Sequence, residues 1–136
     1  MIQALTRAAV IATVAVVGAW NVSAATVTTA NDYPSTLQTS QAANHRVLFT
    51  TPTGVSLGST ITLTFATAFD TSSILEDDVD IADDGVALTT AATCAGTEQA
   101  SVEMASDILT ITICAGDGGA IAATSVVTIE IGMNAT

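Results

Sequence analysis

The sequence predicts an all-β fold: an antiparallel β-sandwich of about seven or eight strands, preceded by one apolar N-terminal helix. Three observations carry this expectation. Apolar residues alternate with Thr, Ser or charged residues in several short runs, the period of a half-buried strand. Clusters rich in Gly and Asp separate the runs as turn signals. Beyond the first 24 residues no stretch carries the 3.6-residue period of an amphipathic helix. Short strands spaced by turns around an aromatic-poor core are the pattern of the immunoglobulin-like class.

The N-terminal element comes first. One positive charge, Arg7, precedes a run from Ala8 to Trp20 that only Thr13 and Gly18 interrupt. A spanning helix needs roughly 20 apolar residues, whereas a run of about 10 to 14 fits the core of a secretory signal. Val22 and Ala24 flank Ser23 as the small or slender residues a signal peptidase reads, so cleavage is expected after Ala24. The alternative is a retained helix, as in pilins, packed in a filament core or held transiently in the membrane; Leu5 stands where many type IV pilins carry glutamate. Both readings place the protein outside the cytoplasm, extracellular or on the cell surface. They divide the chain into residues 1–24 and a single β domain over 25–136.

Three strands are plain in the β domain. Ser59 to Phe65 sets Ile61, Leu63 and Phe65 against Thr60, Thr62 and Thr64. Asp107 to Ile113 sets Leu109, Ile111 and Ile113 against Ile108, Thr110 and Thr112. Ser125 to Ile131 sets Val127, Ile129 and Ile131 against Val126, Thr128 and Glu130. Weaker patterns predict strands at Ala25 to Thr29, His45 to Thr50, Val79 to Ala82, Val86 to Thr90 and Ser101 to Met104. Turns are expected at Thr51-Pro52-Thr53-Gly54, Asp83-Asp84-Gly85 and Gly116-Asp117-Gly118-Gly119.

Charge bounds the partners. The chain carries thirteen acidic residues against Arg7 and Arg46, a net charge of −11. Such a surface repels nucleic acid and anionic lipid, so neither is an expected partner. A divalent cation or a basic partner would complement it. The chain is 49% hydrophobic, which is too apolar for a disordered sequence. Cys94 and Cys114 are the only cysteines, and export to an oxidising space predicts that they form a disulfide. A loop of that length stabilises by roughly 3 kcal/mol in the chain-entropy account.

Four short patterns invite chemical readings. Gly54-Val55-Ser56-Leu57-Gly58 matches the hydrolase nucleophile elbow, but that motif needs a strand-to-helix turn and a later histidine. Here it lies between two strands and the only histidine, His45, precedes it, so a hairpin loop is expected and no catalytic set is assigned. Residues 76–85 gather six of the thirteen acidic side chains. Asp78, Asp80, Asp83 and Asp84 are candidate calcium ligands, since calcium takes oxygen donors; the competing reading is a solvated acidic loop, because Ala82 and a missing closing glutamate break the EF-hand spacing. His45-Arg46 reads as a solvent-facing pair, or as a basic spot docking on a neighbour's acidic loop. Asn21-Val22-Ser23 falls in the N-terminal segment, and Asn134-Ala135-Thr136 makes Asn134 a weak candidate for glycosylation.

The run Ala43 to Val55, then Thr60 to Phe65, Asp77 to Ile81 with Asp83-Asp84-Gly85, and Thr128 to Gly132 resembles a β-sandwich module of secreted surface proteins of candidate-phyla-radiation bacteria. The resemblance covers roughly residues 26 to 136 and implies a surface location and a sandwich fold. The chain differs from that module in its two cysteines and in ending just after the last predicted strand, which favours a repeating subunit.

The expected function is therefore a non-enzymatic structural subunit of an extracellular assembly, a pilus-like filament or a surface coat. It would self-associate through strand edges or the N-terminal helix, with Ala25 to Ala30 completing a neighbour's sheet in a strand-exchange version. The alternative is a secreted adhesion or carbohydrate-binding module, with calcium as its one candidate cofactor. Scarce aromatics weaken that alternative, since past residue 24 Tyr33 is the only Trp or Tyr.

Overall fold

The computed structural model describes residues 27–38 and 40–132. The N-terminal helix expected over 1–24 and the glycosylation candidate Asn134 lie outside them. The described residues form nine strands in two sheets. One sheet has the order β1 (Thr28–Pro34), β2 (His45–Thr51), β9 (Ser125–Ile131), β4 (Val79–Asp83), β5 (Val86–Ala87). The other runs β3 (Thr60–Thr64), β8 (Ile108–Ile113), β7 (Ala100–Ala105), β6 (Thr90–Ala91). A single 3-10 turn, Glu76–Asp78, precedes β4.

Alternation decides what faces inward. Val127, Ile129 and Ile131 of β9 and Leu109, Ile111 and Ile113 of β8 are buried. Together with Phe49, Val79, Ile81 and Val102 they form one core between the sheets. Each such side chain contributes about 1.5 to 3 kcal/mol on leaving water. Thr51 is a polar member of this layer, and its hydroxyl reaches the carbonyls of Ala122 at 3.3 Å and Ser125 at 3.4 Å.

Two departures from the sequence reading have local causes. The strand expected at 86–90 divides, because the chain changes sheets there: β5 pairs with β4, and β6 pairs with β7. Leu88 lies in the crossing, donating its N–H to Ile81 in the first sheet while Thr89 accepts from Gln99 and Ala100 in the second. The β6–β7 pair is also parallel, so the sheets are not wholly antiparallel. Parallel neighbours ordinarily need a crossover of a dozen residues or more. Here β6 is only two residues long, so the intervening loop has little distance to recover.

That loop is stapled rather than packed. Cys94 bonds to Cys114 with their Cα atoms 5.4 Å apart, the disulfide expected of the chain's two cysteines. The Glu98 carboxylate accepts the backbone N–H groups of Ala95 and Gly96 beside it.

Candidate functional site

The sequence singled out His45-Arg46, the Ser56 motif and the acidic segment, and β2 separates the first two. Period two turns His45 inward and Arg46 outward. The His45 side chain is only 11% exposed, with Nδ1 2.9 Å from Asp32 Oδ2 on β1. Its ring meets Phe65 and Phe69 edge-on at centroid distances of 6.0 Å. His45 is thus a packed residue rather than half of a solvent-facing basic pair. Arg46 is the exposed member, and its Nε lies 3.3 Å from Glu130 Oε1 on the adjacent β9.

Ser56 lies beyond the other end of β2. The strand spans seven residues, roughly 20 Å of separation, so His45 and Ser56 do not meet. The glycine that opens the motif has a structural reason. Gly54 sits at φ +74°, and a Cβ there would lie 2.4 Å from the Ile121 carbonyl oxygen. Val55 then bridges to Ile121. The motif is a loop tying the β2 end to the β9 approach; because β2 and β3 lie in different sheets and do not pair, it is a crossing between the sheets and not the hairpin loop the sequence led one to expect.

The acidic segment spreads over three settings. Asp78 Oδ2 accepts the Leu75 N–H at 3.0 Å, closing the 3-10 turn. Asp80 points out from β4 opposite Glu130. Asp83 and Asp84 enter the β4–β5 hairpin, where Asp84 and Gly85 both hold positive φ, the requirement of a two-residue type I′ turn. Asp84 Oδ1 accepts the Val126 N–H at 2.8 Å. Asp83 Oδ1 is buried without a hydrogen-bond partner among the described residues. Among those residues no three of His, Cys, Asp and Glu gather as a metal-holding group. A shallow groove of about 450 Å³ lies nearby, lined by Asp80, Ala82, Leu88, Thr90, Thr128 and Glu130. No aromatic ring lines it, so it offers no stacking platform for a sugar.

Sequence reasoning did not rank the sheet edges, and the structure makes them unequal. Strands β5 and β6 are two residues long and offer little to pair with. Strand β1 is longer but blunted: its register shifts between Thr28 and Asn31, Thr29 holds φ +51°, and it ends on Pro34. Bulges, prolines and charges are the devices that protect an edge. Strand β3, Thr-Ile-Thr-Leu-Thr, has none of them.

The ladder parity of β3 fixes which groups face out. Ile113 N–H donates to the Ser59 carbonyl at 2.9 Å and Phe65 N–H to the Asp107 carbonyl at 2.8 Å. With Thr60 opposite Thr112, the odd-numbered residues of β3 are the ones bonded to β8. Thr60, Thr62 and Thr64 therefore turn their N–H and C=O groups to the open side. Beneath them Ile61 and Leu63 face the core yet are only partly buried, while Leu109 and Ile111 on β8 are fully buried. Among the described residues no strand pairs with this edge.

No protein-family model, curated protein or solved structure matches this chain.

Proposed function

We propose that this protein is a non-enzymatic structural subunit of an extracellular assembly, an immunoglobulin-like sandwich that builds a filament or surface coat through its sheet edges. The observation that carries the reading is β3: five residues without charge, proline or bulge at the edge of a sheet, above the only partly buried Ile61 and Leu63. An unblunted edge is a template for another strand, and proteins that do not use one ordinarily protect it. The disulfide is compatible with an oxidising space outside the cytoplasm. The sequence at residues 1–24 supports export.

Calcium-dependent adhesion has less support. Asp78 and Asp84 already spend carboxylate oxygens on backbone N–H groups, and calcium takes six to eight oxygens.

Negative-stain microscopy of cell-surface material, with N-terminal sequencing of the purified protein, tests the reading. Ordered polymers or a lattice containing the protein are expected. Recovery of free monomers alone would sink it.

A further inference from the structure

From the register of β3 we infer that its occupant is the same strand of a second copy, paired antiparallel about a two-fold axis at Thr62. This deepens the assembly reading above and rests on it. The sequence Thr60-Ile61-Thr62-Leu63-Thr64 reads the same in both directions by chemical type. Reversed against itself about Thr62, it sets Thr60 opposite the second copy's Thr64 and Ile61 opposite the second copy's Leu63. Hydroxyls then meet hydroxyls on the outer face, and branched apolar side chains meet on the core face. One patch meeting itself is what a closed two-fold contact requires.

Parity makes the same register productive. The outward-facing residues are Thr60, Thr62 and Thr64, and in this alignment each falls opposite another of that set. The three pairs would exchange about six backbone hydrogen bonds, because facing residues of a bonded antiparallel pair share two. A shift by one residue would set outward-facing residues against inward-facing ones and lose the ladder. Ile61 and Leu63 would gain apolar neighbours on their exposed side, and the two four-stranded sheets would become one continuous sheet of eight.

Charge does not oppose this alignment along the strand. Antiparallel pairing carries the turn after β3, which holds Phe69 at 51% exposure and Asp70, toward the second copy's 55–59 loop. That loop is uncharged and holds Leu57 at 44% exposure. The acidic residues at the Phe69 end of one copy do not face those of the other.

Single cysteine substitutions read the register. The Thr62 pair would have Cα atoms about 5.5 Å apart, inside the roughly 4.4 to 6.8 Å a disulfide spans. Thr60 would lie about 14 Å from its own counterpart, four residues along a strand. On mild oxidation Thr62→Cys should link into a covalent dimer on a non-reducing gel. Thr60→Cys and Thr64→Cys should stay monomeric alone and cross-link when mixed. Thr62→Pro deletes an outward N–H and leaves the bonds to β8 intact. It should weaken dimerisation at least tenfold in sedimentation while the far-UV spectrum is unchanged.

Equal cross-linking by all three single variants, or none by any while the native protein still assembles, would overturn the β3 register and leave the assembly reading standing. A native protein that sediments as a monomer at every concentration would overturn both.

Discussion

Gly54 shows how a residue that looks chemical in sequence can be wholly structural. Its positive φ disfavours any L side chain by about 1 to 2 kcal/mol, and the Ile121 carbonyl occupies the place where a Cβ would go. Gly54→Ala should lower unfolding stability by about 2 to 4 kcal/mol in urea titration. Ser56→Ala, an exposed change in the same motif, should fall within about 0.5 kcal/mol of the native value. Glu98 also has a structural duty. The N–H of Gly96, followed by other backbone N–H groups of that loop, holds its carboxyl below the ordinary value of 4.5. A carboxyl lowered in the folded state adds stability above its unfolded pKa and loses it as pH falls through the folded one. Melting temperature should therefore drop on acidification below about pH 4.5, and Glu98→Gln should flatten part of that drop.

Among the elements, β3, β8 and β9 were legible because each carries a strict period of two over five to seven residues. Residues 86–91 lack that period, since a segment crossing between sheets has no constant inner face. The turn between β7 and β8 was hidden for another reason. Ala105 pairs with Ile108, so Ser106 and Asp107 form a two-residue turn, and both hold positive φ although neither is glycine or asparagine. Asp107 is held there by function within the fold: its Oδ1 accepts the buried Thr71 hydroxyl at 2.8 Å, and its carbonyl accepts the Phe65 N–H. Ser106 makes no such side-chain hydrogen bond among the described residues. Ser106→Asn should place a residue that tolerates the left-handed region and raise stability by about 0.5 to 1 kcal/mol in thermal or urea unfolding. The preferred edge was equally illegible, because alternation marks a strand but not its neighbours. Only the register of β3 on β8, with no strand beyond it among the described residues, singles out Thr60, Thr62 and Thr64.

For the whole molecule, charge and edge make opposite demands. A chain of net charge −11 repels its copies at low ionic strength, and that repulsion fades as salt shortens the Debye length from about 30 Å at 0.01 M to about 8 Å at 0.15 M. A contact made by uncharged β3 gains from this screening and loses nothing to it. A contact made by Arg46 docking on a neighbour's acidic loop would behave the other way, since salt weakens an exposed ion pair. Arg46 already has Glu130 beside it on its own sheet, so recruiting it to a neighbour would cost that pairing. Self-association should therefore strengthen as sodium chloride rises from 10 to about 200 mM, read as a falling dimer dissociation constant in sedimentation equilibrium. It should persist in Arg46→Gln. Association that weakens with salt and disappears with that substitution would move the contact from the threonine edge of β3 to the Arg46–Glu130 face of the other sheet.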